Sequence, residues 1–183
     1  MNTMTTYTGH KFDPMEITED DIRMEDIAHA LSLLCRGGGH LRSFYTVAQH
    51  SVNCAKEAKA RGFSKRVQFA CLLHDASEAY ISDIIRPVKC HLSNYLEIEN
   101  RIMQVIWKKY GLWDLNDEEN RQWKQIDDEM LDYELKHLMA GEENRRIKPL
   151  FTEPDVTEQP YYKVQEEFLQ WNCALGCAEA ETK

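Results

Sequence analysis

The sequence predicts an all-α, single-domain helical bundle, and three observations carry that expectation. Apolar residues recur at helical spacing along most of the chain. Thr46-Val47-Ala48-Gln49 has the capping-box pattern that opens a helix, and Asn116 with Glu119 repeats the arrangement further on. No alternating, strand-like run is longer than a few residues.

The first helix is expected over Met24–Cys35, with Ile27, Ala30, Leu31 and Leu34 on one face. Arg36-Gly37-Gly38-Gly39-His40 ends it, because three glycines cost too much backbone entropy to lie inside a helix. Thr46 starts the second helix, which reaches about Ala60. Gly62 closes it, and Ser64 caps a third, predicted to run unbroken to about Tyr80. Pro87 permits only a turn or a short helix between Ile81 and Lys89. Ser93 begins a helix that buries Leu96, Ile98, Ile102, Val105 and Ile106 and stops at Gly111. The helix after Asn116 carries Ile126, Met130, Leu131, Tyr133, Leu135 and Leu138. Pro149, Pro154 and Pro160 mark an irregular segment, and Tyr161–Trp171 forms a last helix packed on the bundle. Trp107, Trp113, Trp123 and Trp171 are expected in the core.

Composition narrows the function classes. The chain has 183 residues, 43% hydrophobic and 29% charged, a soluble globular balance in a length that buries a real core. Its apolar runs are too short for a transmembrane helix, so no membrane partner is expected. The start, MNTMTTYTGHKFD, lacks the basic and apolar regions of a secretory signal. None of the six cysteines forms a C-x-x-C pair, which fits a reducing, cytoplasmic compartment. Cys173 and Cys177 are four apart and could bridge or bind metal, although thiols at that helical spacing are more often packed or exposed. A net charge of −9 argues against a nucleic-acid polymer as partner. It leaves room for a small phosphorylated ligand, provided the site supplies local positive charge.

The chemistry-bearing residues cluster by helical register. Val47, His50, Ser51 and Cys54 share one face, and Val67, Ala70, Cys71 and His74 share another, with Glu78 one turn beyond. Two histidines therefore face the interior from adjacent helices. Ile126-Asp127-Asp128-Glu129-Met130 sets an acid pair between core positions on a later helix. A buried, unpaired carboxylate is expensive, and a cation is the simplest way to hold several together. Two imidazoles with two carboxylates suit one divalent transition metal ion: Mn, Co, Zn, Fe or Ni. His74 and Asp75 can both reach one ion, from its two flanks. The loop at Arg36–His40 reads as substrate-lining, with His40 a candidate contact. Arg86 and Lys89 read equally as phosphate-steering groups and as surface charge.

His50, then His74-Asp75, then a distant aspartate resembles the H…HD…D signature of the HD-domain phosphohydrolases. DIAHALSLLCRGGGH, FYTVAQHSV and LLHDASEAYISDIIRPVK are similar to segments of the small bacterial and phage members, and the resemblance covers roughly residues 20–140, with 141–183 as a C-terminal extension. It implies metal ligation by His50, His74, Asp75 and an aspartate for which Asp127 is selected over Asp128 by counting back from Tyr133-Glu134. It implies catalytic roles for Glu78 and Asp83 and phosphate contact by Arg36. It further implies a nucleotide substrate and a homodimer. Two activities are implied: a deoxyribonucleoside 5′-monophosphatase, as in the bacterial enzymes, or a nucleoside triphosphate hydrolase, as in the phage dATP enzymes. The bacterial monophosphatases have a tryptophan directly after the arginine. Here the position is Gly37, which leaves room for a different nucleotide. A reading of another class is a binding module that senses a nucleotide at the metal without turning it over.

Overall fold

The computed structural model describes residues 2–176; Cys177 lies outside them. Two short antiparallel strands, β1 (Met4–Thr5) and β2 (Lys11–Phe12), precede α1 (Met24–Leu33), α2 (Val47–Ala60) and α3 (Lys65–Leu73). The short helices α4 (Glu78–Ile81) and α5 (Arg86–Lys89) lead to α6 (Ser93–Lys109), α7 (Asp117–Leu138) and α8 (Tyr161–Gly176). The architecture is an all-α bundle.

The helix boundaries follow from caps. Thr46 Oγ1 accepts the N–H of Gln49 while the Gln49 side chain accepts the N–H of Thr46, opening α2. Asn116 and Glu119 do the same for α7. Ser64 Oγ accepts the N–H of Val67 at the start of α3.

The core forms around α2, which packs against α1, α3, α7 and α8 and is buried at every position from Val47 to Ala55. A helix buried all round must find partners for its polar side chains. Gln49, Asn53 and Glu57 lie four residues apart, so they share one stripe. Gln49 Nε2 donates to Thr157 O and Asn53 Nδ2 to Asp155 O, while Glu57 accepts the N–H groups of Phe151 and Thr152. That stripe straps the proline-marked segment between α7 and α8 onto the bundle.

Three expectations are corrected. The third helix stops at Leu73 rather than running to Tyr80. The N–H groups of Ala76 and Glu78 bond three residues back, to Leu73 and Asp75, so the chain tightens through Ala76-Ser77 before α4. Leu96 is exposed: α6 is fully buried only in its C-terminal half, at Ile102, Met103 and Ile106, and Ile98 is the partly buried residue that meets the core before them. Trp113 is 71% exposed: it sits in the connection after Gly111, where helical spacing no longer says which way a side chain faces.

Candidate functional site

Three mutually packed helices deliver the site. His50 comes from the middle of α2, His74 caps the end of α3, and Asp127 lies midway along α7. Asp75 follows His74 directly. In the tightened turn, residues three apart eclipse, so Asp75 and Glu78 lie on one side.

The two imidazoles are oriented by oxygen acceptors. Nδ1 of His50 donates to the Glu134 carboxylate at 2.6 Å, and Nδ1 of His74 donates to Cys71 O at 2.7 Å. Each Nε2 is therefore directed into the site, and the two lie 3.1 Å apart. Two lone pairs so close repel unless a proton or a cation lies between them. Asp127 Oδ1 stands 3.2 Å from His50 Nε2 and 3.5 Å from His74 Nε2; Asp75 Oδ2 stands 3.8 and 3.4 Å from the same atoms. An ion about 2.0–2.2 Å from each donor sets neighbouring donors roughly 2.8–3.6 Å apart. The donor types suit a metal, and every one of these separations falls in that range except His50 Nε2 to Asp75 Oδ2, which at 3.8 Å is slightly wider.

His50, Cys54 and His74 form a buried group able to hold a metal ion, with donor atoms within 4.8 Å of one another. Sequence reasoning placed Cys54 on the His50 face without a role. Its Sγ lies 3.6 Å from His50 Nε2 and 4.0 Å from Nδ1, so it sits beside the ring rather than in line with the Nε2 lone pair.

Electrostatics follow from this crowding. Burial lowers the His74 imidazole, but Asp75 and Asp127 outweigh it and raise its pKa to about 9. Burial raises Asp127, yet hydrogen bonds and charge from His50 and His74 hold it far below the usual carboxylate range. Asp75 is held low against burial by His74 and Arg36. Glu78 behaves oppositely. Burial, then the charges of Asp75 and Asp83, push it well above its ordinary value, and its Oε2 has no partner among the described residues.

Arg36 begins the glycine turn, where Gly37 and Gly38 have φ of +63° and +62°, a conformation open to glycine at little cost. Its Nη1 donates to Asp75 Oδ2 at 3.1 Å, and its Nε pairs with Glu134 Oε2 at 3.2 Å. Asp83 Oδ2 accepts the N–H of Gly37 at 3.2 Å, tying this turn to the segment after α4. A cavity of about 500 Å³ opens from Arg36, Asp83 and Glu134. Leu41, Ile85, Leu131, Leu135 and Met139 give it apolar walls, and His40 and Arg86 also line it.

The predicted residues thus divide clearly. His50, His74, Asp75 and Asp127 converge on one point, and Arg36 touches that group through Asp75. Asp83 and His40 line the cavity. Asp128 is exposed and paired with Arg86 at 3.1 Å, outside the cluster. Lys89 pairs with Glu99. Glu134 was read only as a landmark at a helix end, yet it joins His50 to Arg36. Its spacing of seven from Asp127, which puts both on one face of α7, was the available signal.

No family model matches the chain. It is similar to the uncharacterized protein YfdR of Escherichia coli (strain K12), 43% identical over 112 residues, covering 61% of this chain and 60% of that protein. It is also similar to an uncharacterized protein of Rhodobacter capsulatus, 36% identical over 111 residues, covering 57% of this chain and 56% of the relative. The matches thus span less than two thirds of each relative's length. Among the described residues, no helix is long and apolar enough to cross a membrane.

Proposed function

We propose that the chain is a metal-dependent phosphohydrolase acting on a nucleotide, in the first place a deoxyribonucleoside 5′-monophosphate. His50, His74, Asp75 and Asp127 would hold one divalent transition metal ion. One observation carries the reading: Arg36, which lines a cavity with apolar walls, bonds to Asp75 in the cluster of four donors, and Glu78, buried with one carboxyl oxygen unpartnered, feels the charge of that same Asp75. A purely structural metal has no use for the arginine or the extra acid.

When bound, the cation polarises a phosphoryl oxygen and makes water a better nucleophile near neutral pH. Arg36 spends Nη1 and Nε on Asp75 and Glu134, and its other N–H groups are left to grip a phosphate oxygen. Glu78, buried with Oε2 unpartnered and held well above its ordinary value by burial and by Asp75 and Asp83, would give a proton to the departing ester oxygen. Asp83 holds the Arg36 turn through the N–H of Gly37, which keeps the guanidinium facing the reacting group. The apolar walls receive the organic part of the substrate and keep water from it.

A triphosphate substrate is favoured by one feature. Arg86 reaches within 3.8 Å of Asp127 at the cavity, where it could meet a second or third phosphate. The deciding experiment loads the purified protein with Mn or Co and offers mono-, di- and triphosphates with product identification. Release of inorganic phosphate from monophosphates is expected. Tripolyphosphate as product selects the triphosphate reading, and binding without any release selects the nucleotide-sensing module.

A further inference from the structure

We infer that Glu134 is a positioning residue that aligns a metal-ligating histidine and a phosphate-binding arginine through one carboxylate. The inference rests on the proposed function: its histidine half needs the metal centre, and its arginine half needs the phosphate site.

The geometry is specific to each oxygen. Oε1 accepts from His50 Nδ1 at 2.6 Å and from the Tyr45 hydroxyl at 2.8 Å, while Oε2 pairs with Arg36 Nε at 3.2 Å. Glu134 is 3% exposed, so these partners replace the water it lost. Asn53 Nδ2 donates to the Tyr45 hydroxyl at 3.0 Å, which leaves the hydroxyl proton to Glu134. A carboxylate with these donors compels His50 to carry its proton on Nδ1 and to present Nε2 to the metal.

The second oxygen has a different task. Arg36 is pulled by two carboxylates, Glu134 and Asp75. Without Glu134, the guanidinium would be free to close bidentately on Asp75. That would draw Asp75 Oδ2 away from the donor cluster and turn the arginine away from phosphate. One substitution should therefore damage metal and phosphate binding together.

Glu134→Gln tests this with little change of shape. His50 and Arg36 lie on opposite oxygens of Glu134, so an amide accepts from one of them and turns its NH2 against the other. Cobalt(II) affinity should fall roughly 10–100-fold. The affinity of the cobalt-loaded protein for inorganic phosphate should fall about tenfold or more. Tyr45→Phe, which spares both linking bonds, should keep both affinities near wild type. Arg36→Gln should weaken phosphate while sparing cobalt. Wild-type cobalt affinity in folded Glu134→Gln overturns the inference, and so does a cobalt loss with phosphate binding untouched. If Glu134→Gln does not fold, the zinc-loaded wild type decides through its imidazole nitrogen resonances: His50 should be protonated at Nδ1, and ligation through Nδ1 overturns the inference. A wild type that takes up no cobalt removes the metal centre and this inference with it. A wild type that binds cobalt but neither binds phosphate nor releases it from nucleotides defeats the phosphohydrolase reading and the arginine half. The cobalt affinity of Glu134→Gln still decides the histidine half.

Discussion

The two Nε2 atoms 3.1 Å apart are the sharpest constraint at the scale of single residues, because both Nδ1 atoms already donate to oxygen. A cation relieves that arrangement, so its ligands and its working acid should separate under substitution. His74→Ala and Asp75→Ala are expected to lose metal and activity together, measured by metal content after dialysis and by phosphate release. Glu78→Gln should keep its metal and lose roughly 10²–10⁴-fold in rate; stoichiometric metal in Asp75→Ala would refute the ligand set. Cys54 gives a separate test. With Sγ beside the His50 ring rather than on the Nε2 axis, Cys54→Ser should keep the metal, and the cobalt-loaded wild type should lack a strong thiolate charge-transfer band. A strong band that vanishes in Cys54→Ser would place sulfur in the coordination sphere. The histidines were legible because they fall on apolar faces at helical spacing, and His74-Asp75 because the pair is hard to bury without a cation. Glu134 was not legible as a partner. Its role depends on Arg36, 98 positions away by subtraction of their sequence numbers, and no local period links the two.

Elements fail to follow the sequence pattern where the pattern continues after the backbone has changed. Apolar and small residues carry on through Ala76 and Ala79, so periodicity extends the third helix to Tyr80. The backbone instead tightens after His74, and the N–H of Glu78 bonds to Asp75 O, so Glu78 stays on the Asp75 side through the turn. The glycine run after α1 was legible as a terminator, because its entropy cost does not depend on tertiary contacts. Its positive φ values were not, since they answer to Asp83 and to the route the chain takes toward Tyr45. Gly38 separates strain from crowding. An added Cβ would meet Ile85 Cγ2 at 3.6 Å, an ordinary contact, so the penalty comes from the φ of +62°. Gly38→Ala is expected to destabilise by about 1 kcal/mol, read by urea unfolding. It should also weaken phosphate binding more than metal binding, because Arg36 moves with the turn and the four donors do not. An unchanged unfolding midpoint would show that the turn adapts without cost.

Across the whole molecule, Glu57 links the central helix to the returning strap and to α7. Its carboxylate accepts from the N–H groups of Phe151 and Thr152 at 2.9 Å each, from Thr152 Oγ1 at 2.6 Å and from Arg61 Nε at 2.7 Å. Arg61 also donates to Glu129 at 2.7 Å, and Lys148 pairs with the same carboxylate at 3.0 Å. Burial raises the Glu57 carboxyl, but the bonds from Phe151, Thr152 and Arg61 overcome it and hold the group below its ordinary value. A group depressed in the folded state binds its proton more readily when unfolded. Its stabilisation is therefore full above the unfolded value of about 4.3 and is lost as pH falls through the lower folded value. Glu57→Gln should cost about 2 kcal/mol at neutral pH, since a neutral amide cannot replace a carboxylate among these donors. Its unfolding free energy should also fall less steeply than wild type below about pH 4. Glu129, likewise depressed against burial by Gln125, Arg61 and Lys148, keeps part of the acid sensitivity, so the slope should shrink rather than vanish. Urea unfolding at a series of pH values compares the two proteins. Parallel profiles would mean that Glu57 does not carry the strap's acid response. A shallower slope would place that response in the Glu57 carboxylate, at the end of the stripe that holds the strap.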